Sequence, residues 1–228
     1  MEYGQYCPVA KALEVLGERW ALLVVRELMC GSTRFSELQR GLPRISPSML
    51  SKRLSELEAA GMIVRKRIPD QRGWEYFLSA SGQELTDTVK QLGVWGMRWI
   101  RGTMTDTDLD VQFLMWDIQR NIDAAKLPGR ETVLKFHFPE CDTNRDWWIV
   151  VSGGKPDLCR DDPGKEVDVY FTSDCRTLTE IFMGDTSFKA ARVDGRLKLV
   201  GPAALLNTLS SWFHLSAFAG IKPARPAR

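Results

Sequence analysis

Histidine is scarce in this chain of 228 residues, with only His137 and His214, and the five cysteines are widely scattered. The cysteines form no CxxC pair and lie near no pair of histidines, which argues against a structural zinc site or a disulfide framework. The sequence also lacks a nucleophile elbow and a glycine-rich phosphate loop. We therefore expect no catalytic residue, no metal and no cofactor, and we do not expect an enzyme.

Long apolar runs are also missing. No uninterrupted run approaches the roughly 18 residues that a membrane span requires. Residues 1–6 lack the basic and apolar regions of a signal peptide. Hydrophobic residues make up 44% and charged residues 26%, a balance typical of a globular chain rather than a disordered or fibrous one. The expectation is a cytoplasmic protein without a membrane partner.

Positive charge is concentrated in one part of the chain. Residues 1–105 contain 15 Lys and Arg against 11 Asp and Glu, whereas residues 106–228 contain 16 against 18. The surplus lies in residues 31–75, where nine basic residues face five acidic ones. Such a stretch is typical of nucleic-acid binding, although a solvated helical face is the commoner reason for one.

The first hundred residues have a helical pattern interrupted by two strands. Apolar periodicity predicts helices over residues 9–16, 20–28 and 35–40. Ser46 and Pro47 mark the start of a fourth helix, because serine accepts an orphan N–H and proline at the first position gives up a donor that had no partner. One face of that helix is apolar. The other carries short polar and basic side chains, as expected of a helix that enters a groove.

Two strands follow, over residues 63–68 and 74–78, around a turn-rich loop with Arg72 at its tip. Ser79 or Ser81 then caps a long helix, with Ser81 and Glu84 as a capping box, and its apolar stripe from Leu85 to Trp99 needs a partner to cover it. The order of a helix, a turn, a capped helix, two strands and a basic loop predicts a winged helix-turn-helix domain.

Several separate motifs occur in this region in a fixed order. They are Cys7-Pro8-Val9, Leu16-Gly17-Glu18-Arg19-Trp20, Arg34-Phe35-Ser36-Glu37-Leu38, Ile45-Ser46-Pro47, Leu50-Ser51-Lys52-Arg53-Leu54, Leu57-Glu58 and Gly61-Met62-Ile63. The set resembles the HxlR-type transcriptional regulators, relatives of the MarR group. The resemblance implies a homodimer, built from the first and last helices of the domain, that binds a double-stranded operator. We expect a repressor.

The DNA contacts are expected on the capped helix and the loop. The side chains expected to meet the groove are Ser46, Ser48, Met49, Ser51 and Lys52. Arg44, Arg53 and Arg72 are expected to neutralise phosphates, with Arg72 reaching a minor groove. An alternative for Arg53 is an ion pair on the helix surface with Glu56 or Glu58.

Cys7 is a candidate redox site. Some members of the resembled family sense oxidants or electrophiles through a cysteine at this place. The alternative is a small residue buried at the dimer interface, which free cysteine often is.

A domain boundary is predicted where periodicity is lost, over residues 102–110. The predicted domains are residues 1–103 and 104–222, followed by a flexible tail at 223–228. The second domain should contain helices and strands, and the strand at 147–151 is apolar on both faces, so that both sides of its sheet must be covered. The fold class is α+β, with a mixed or antiparallel sheet covered by helices.

The second half contains Trp148-Ile149-Val150-Val151 and the runs 167–174, 178–184 and 193–201 in order. It is similar to the sterol carrier protein type-two-like domain, a family that binds lipids, acyl chains or other hydrophobic molecules between its sheet and helices. The pocket residues carried over are Trp116, Trp148, Phe182, Leu205, Leu209 and Phe213. The expected partner is a hydrophobic small-molecule effector. Two alternatives are a filled, purely structural domain and a lipid carrier that uses the first domain as a dimer scaffold.

Overall fold

The computed structural model describes residues 2–224 and divides into two compact units between Trp95 and Gly96. This division lies earlier than the predicted boundary at residue 103, because one helix, Thr86–Trp99, begins in the first unit and ends in the second. Most of the predicted tail, residues 225–228, falls outside the described part of the chain. Within residues 2–224, no helix combines the length and the apolar character that crossing a membrane demands.

The first unit has the predicted winged helix-turn-helix order. Its elements are α1 (Pro8–Leu16), α2 (Ala21–Met29), α3 (Phe35–Gly41), α4 (Pro47–Ala59), β1 (Ile63–Arg67), β2 (Trp74–Leu78), α5 (Ala80–Glu84) and α6 (Thr86–Trp99). β1 and β2 pair antiparallel. Ser79, rather than Ser81, caps α5: its hydroxyl accepts the Gly82 N–H at 3.2 Å. The predicted long helix is divided near Leu85 into α5 and α6.

The core of the first unit fixes the orientation of α4. Leu50, Leu54 and Leu57 are buried beside Val24 and Val25 of α2. Full burial of a leucine side chain stabilises a fold by about 1.5–3 kcal/mol. Three leucines on one face therefore hold α4 firmly, and its opposite face is left toward solvent.

The second unit is a five-stranded mixed sheet with helices. Its elements are α7 (Val111–Arg120), β3 (Thr132–His137), β4 (Asp146–Ser152), β5 (Lys155–Cys159), β6 (Val169–Ser173), α8 (Cys175–Phe182), α9 (Phe188–Val193), β7 (Leu197–Val200), α10 (Ala203–Asn207) and α11 (Leu209–Trp212). Short 3₁₀ turns lie at Arg101–Thr103, Asp106–Asp108 and Ala124–Lys126. The strand order is β5-β4-β3-β6-β7, and β3 pairs parallel to β6 while the other pairs are antiparallel.

Both faces of β4 are buried, as its sequence predicts. Trp147, Ile149 and Val151 belong to the main core with the helices. Trp148 and Val150 point to the other face, where they form a smaller cluster. Side chains alternate along a strand, so one all-apolar strand supplies two separate cores.

Candidate DNA-binding surface and ligand groove

The start of α4 places hydroxyl side chains together on the surface. The Ser46 hydroxyl accepts the Met49 N–H at 3.2 Å, which satisfies a donor of the first helical turn, and lies 3.2 Å from the Ser48 hydroxyl. Ser46, Ser48, Ser51 and Lys52 are exposed. Met49 is half-buried and packs against the core of the first unit. Four of the five predicted groove contacts thus share an open face.

Arg53 departs from the prediction that it neutralises phosphate. Its side chain is 5% exposed, and Nε donates to the Arg19 carbonyl oxygen at 2.7 Å. One terminal nitrogen lies 2.8 Å from Glu18 Oε2, and the other donates to Glu56. The guanidinium is therefore held by protein acceptors, so it ties α4 to the segment between α1 and α2 instead of facing DNA. The alternative pairing with Glu56 is present, although the arginine is buried rather than on the surface.

Basic side chains extend from α4 to the wing, which we define as β1, β2 and the loop at residues 68–73. Arg44 and Arg72, the two other arginines expected to neutralise phosphates, are exposed. Arg65 and Arg67, which were not among the predicted DNA contacts, are also exposed. Their guanidinium carbons lie 4.6 and 5.4 Å from the centre of the Trp74 ring. The run of basic residues in β1 was the sequence pattern that could have identified these two arginines. Cation–π contact orders long side chains that would otherwise be mobile.

Two helices of the first unit expose apolar side chains. Val9 of α1 is 65% exposed, and Leu92 and Trp95 of α6 are 50% and 55% exposed. The first part of the predicted stripe on α6 is covered, because Leu85 and Val89 pack against the core. The remainder is the kind of exposed apolar patch that marks an interaction surface.

The six predicted pocket residues do not line one cavity. Phe182, Leu205 and Phe213 lie in the main core, whereas Trp148 lies on the opposite face of the sheet, because odd and even residues of β4 point apart. Trp116 is buried outside both apolar clusters, with the Arg120 guanidinium 5.0 Å from its ring centre. Aromatic rings pack against one another in the main core, where the Phe136 and Phe171 rings are stacked with their centres 4.4 Å apart. Leu209, the sixth residue, also belongs to the main core and lines an opening at the surface.

That opening is a surface groove of about 490 Å³ beside α9, which we call the α9 groove. Its lining residues are Phe188, Lys189, Arg192, Val193, Leu199, Leu206, Asn207, Leu209 and Ser210. Of these lining residues, the sequence predicted Leu209 as a pocket residue and none of the others. Five of the nine lining residues are exposed, two are half-buried and two are buried. In a sequence such a mixture looks like ordinary surface and core positions, so the pattern did not indicate a groove.

The family model of the HxlR-like helix-turn-helix matches residues 15–104. The uncharacterized HTH-type transcriptional regulator YvaP of Bacillus subtilis is 37% identical over 108 residues, which are 46% of this chain and 100% of YvaP. The chain belongs to the HxlR-like helix-turn-helix family. This HxlR-like chain is also 37% identical over 111 residues to the uncharacterized HTH-type regulator YtcD of Bacillus subtilis, covering 47% of this chain and 86% of YtcD.

A second model, the SCP-2 sterol transfer family, matches residues 119–214 of the HxlR-like chain. Among solved structures, the reduced form of the transcriptional regulator YodB from Bacillus subtilis is 33% identical, with a TM-score of 0.36. The match covers 40% of this chain and 92% of YodB. The two family models therefore match different parts of the chain, residues 15–104 and residues 119–214.

The thiols of this HxlR-like protein lie in different environments. Cys7 is half-buried and directly precedes α1, whereas Cys175 is buried in the second unit. Burial raises the pKa of the Cys175 thiol to about 12, so this thiol stays protonated at neutral pH. Among the described residues, no three His, Cys, Asp or Glu side chains are grouped as metal ligands.

Proposed function

We propose that this HxlR-like chain is a DNA-binding transcriptional repressor that acts as a homodimer on a double-stranded operator. The observation that carries the proposal is the open face of α4, where Ser46, Ser48, Ser51 and Lys52 lie together next to the basic wing. Hydroxyl groups form hydrogen bonds with the edges of bases, and lysine and arginine side chains contact phosphates and guanine. The face has little side-chain bulk, so α4 can approach the floor of a major groove.

Selection of duplexes from a random-sequence pool tests this proposal. The full chain is expected to enrich one pseudo-palindromic sequence, because a two-fold dimer presents two copies of α4. Fluorescence anisotropy then compares the enriched duplex with a scrambled duplex of equal length. Equal binding of the two duplexes would contradict specific recognition. A reporter placed behind the enriched sequence distinguishes repression from activation.

The dimer interface is assigned to the exposed apolar side chains of α1 and α6. Replacing Leu92 and Trp95 together by glutamate is expected to convert the dimer into a monomer, because two unpaired carboxylates on each protomer would lose their hydration in the interface. Analytical ultracentrifugation measures the change. Gln91→Glu, which adds charge at the exposed neighbouring position, is the control and should leave the dimer intact. A double variant that stays dimeric would place the interface elsewhere.

The second unit is proposed to bind a hydrophobic effector in the α9 groove. The effect of this binding is proposed to be transmitted to α6. Arg101, two residues beyond α6, donates from Nε to Asp185 Oδ2 at 3.0 Å. Asp185 precedes α9, so one ion pair fastens the end of α6 to the segment that leads into the groove wall. An effector changes operator affinity only if it prefers one arrangement of the dimer.

Asp185→Asn is expected to weaken this coupling. The amide removes the charge attraction for Arg101, while the groove residues stay unchanged. Effector affinity should stay within about twofold, whereas the effector's influence on operator affinity, typically about 5–150-fold in allosteric proteins, should fall toward onefold. Anisotropy titrations with and without decanoate, a single-chain carboxylate, provide the measurement.

The control for this coupling is Glu131→Gln, which removes the ion pair with Lys165 elsewhere in the same unit. It should leave the decanoate response unchanged. A full response in Asp185→Asn would show that the signal does not pass through Arg101.

Two other candidate functions have direct tests. Cys7 is half-buried beside the exposed face of α1, so its oxidation could alter the dimer. A Cys7→Ser variant whose operator binding still responds fully to oxidant excludes this redox switch. A lipid carrier with a merely structural first unit would bind apolar ligands but would enrich no duplex from the pool.

A further inference from the structure

A carboxylate is completely buried in the first unit, away from the exposed face of α4. Glu27 of α2 is 0% exposed. Its Oε1 accepts a hydrogen bond from Arg26 Nη2 at 2.6 Å, and its Oε2 accepts one from the Ser32 hydroxyl at 3.1 Å. A buried charge is costly unless it is paired and hydrogen-bonded. Both oxygens of Glu27 have such partners, so its carboxylate is fixed in one position.

The partners of Glu27 connect α2 to both ends of α3. Ser32 precedes α3, and its backbone N–H donates to the Glu27 carbonyl oxygen at 3.1 Å, in addition to the bond from its hydroxyl. At the other end of α3, Arg26 Nη2 donates to the Gly41 carbonyl oxygen at 3.0 Å. Glu27 therefore holds the start of α3 directly and the end of α3 through Arg26.

The end of α3 also packs directly against the Glu27 carboxylate. A Cβ on Gly41 would lie 1.9 Å from Glu27 Oε2, so this close approach requires glycine. Gly41 is the last residue of α3, and the turn that follows it contains Arg44 and leads to Ser46, the cap of α4. A shift at the end of α3 would therefore move this turn and the start of α4.

We propose that Glu27 is a positioning residue for sequence-specific DNA recognition, because it fixes α3 and the following turn so that Ser46 and Ser48 reach base edges. The inference rests on the proposed DNA-binding function and adds a residue that controls selectivity without touching DNA. Hydrogen bonds to base edges require closely defined positions. Phosphate contacts from long lysine and arginine side chains tolerate small shifts of the backbone. Loss of the Glu27 carboxylate should therefore lower selectivity between sequences more than general affinity for DNA.

Anisotropy titrations of the full chain carrying Glu27→Leu, with the selected and the scrambled duplex, test the proposal. Leucine fills a similar volume but accepts no hydrogen bond. The ratio of the two affinities is expected to fall by at least about tenfold. Affinity for the scrambled duplex and its salt dependence should stay unchanged, because every cation of the surface is kept. Glu27→Gln should keep the ratio within about threefold of the unmodified chain, since the amide can accept from Arg26 and donate to the Ser32 hydroxyl.

Two further variants separate positioning from a general loss of stability. Ile63, buried on β1 in the core of the same unit, provides the control Ile63→Ala. Partial unfolding lowers the apparent affinity for both duplexes by the same factor, so Ile63→Ala should keep the ratio. Ser32→Ala removes one hydrogen bond of the carboxylate and leaves Glu27 paired with Arg26. It should lower the ratio by at least about threefold, and it serves as the test if Glu27→Leu does not fold.

The outcomes distinguish the positioning role from DNA binding itself. An unchanged ratio in Glu27→Leu, or in Ser32→Ala when the leucine variant does not fold, overturns the positioning role and leaves the proposed DNA-binding function in place. An equal fall of the ratio in Ile63→Ala also overturns it, because any loss of stability would then have the same effect. Equal binding of the two duplexes by the unmodified chain overturns specific recognition and the positioning role together.

Discussion

Replacing Arg53 by alanine is expected to lower the free energy of unfolding of the first unit by about 2–4 kcal/mol. The guanidinium is 5% exposed and bonds Glu18, Glu56 and the Arg19 carbonyl, so alanine removes three charge-assisted contacts and leaves a void. Hydrogen-exchange mass spectrometry of the full chain measures the loss, because the slowest amides of α4 report the stability of the unit that contains them.

The neighbouring cation is the control for this prediction. Lys52 is 62% exposed and lies 3.8 Å from Glu56, an exposed pair worth at most about 1 kcal/mol. Lys52→Ala should therefore leave the exchange rates of α4 almost unchanged. Unchanged protection in Arg53→Ala would refute the structural role assigned to this arginine.

Removing Lys52 and Arg72 together is expected to weaken binding to the selected duplex by at least about 100-fold at 0.1 M salt. A dimer loses four cationic contacts in this variant. Since each phosphate contact contributes about 0.9 to the slope of log affinity against log salt, the slope should become shallower by about 3–4. Anisotropy titrations at several salt concentrations measure both quantities.

The matched control takes the same charge from the second unit. Lys155 and Lys198 are exposed strand residues, and their double alanine variant should bind the duplex within about threefold of the unmodified chain. If the Lys52 and Arg72 variant shows the same affinity and slope as this control, the DNA surface has been assigned to the wrong side chains.

Local chemistry made most of the first unit predictable. Ser46 and Pro47 begin α4 where their hydroxyl and missing N–H predict it, and β1 and β2 flank the loop as expected. The break at Leu85 was not predictable, because the apolar stripe continues through it. A Cβ on Gly82 would meet the Met62 carbonyl oxygen at 2.2 Å, so a close approach to another part of the chain shapes this region.

The candidate sites could be predicted from the sequence only where the spacing of residues shows which way each side chain points. Arg53 falls in the series of Leu50, Leu54 and Leu57 at i, i+3, i+4 and i+7, a spacing that already indicated the buried face of α4. The positive charge of Arg53 suggested a place on the surface, but its position in this apolar series puts it on the buried face of the helix. Trp148 was misplaced because apolar character alone does not say which sheet face a residue occupies. The α9 groove depends on how α9, α10 and β7 meet, and no local pattern contains that information.

Native mass spectrometry of the full chain mixed with the selected duplex tests the central claim most directly. The account predicts one dominant complex that contains two chains of 25.9 kDa and one duplex, and predicts that the complex is lost in the Lys52 and Arg72 double variant. A single chain on the duplex, or a dimer that binds the selected and scrambled duplexes equally, would contradict it.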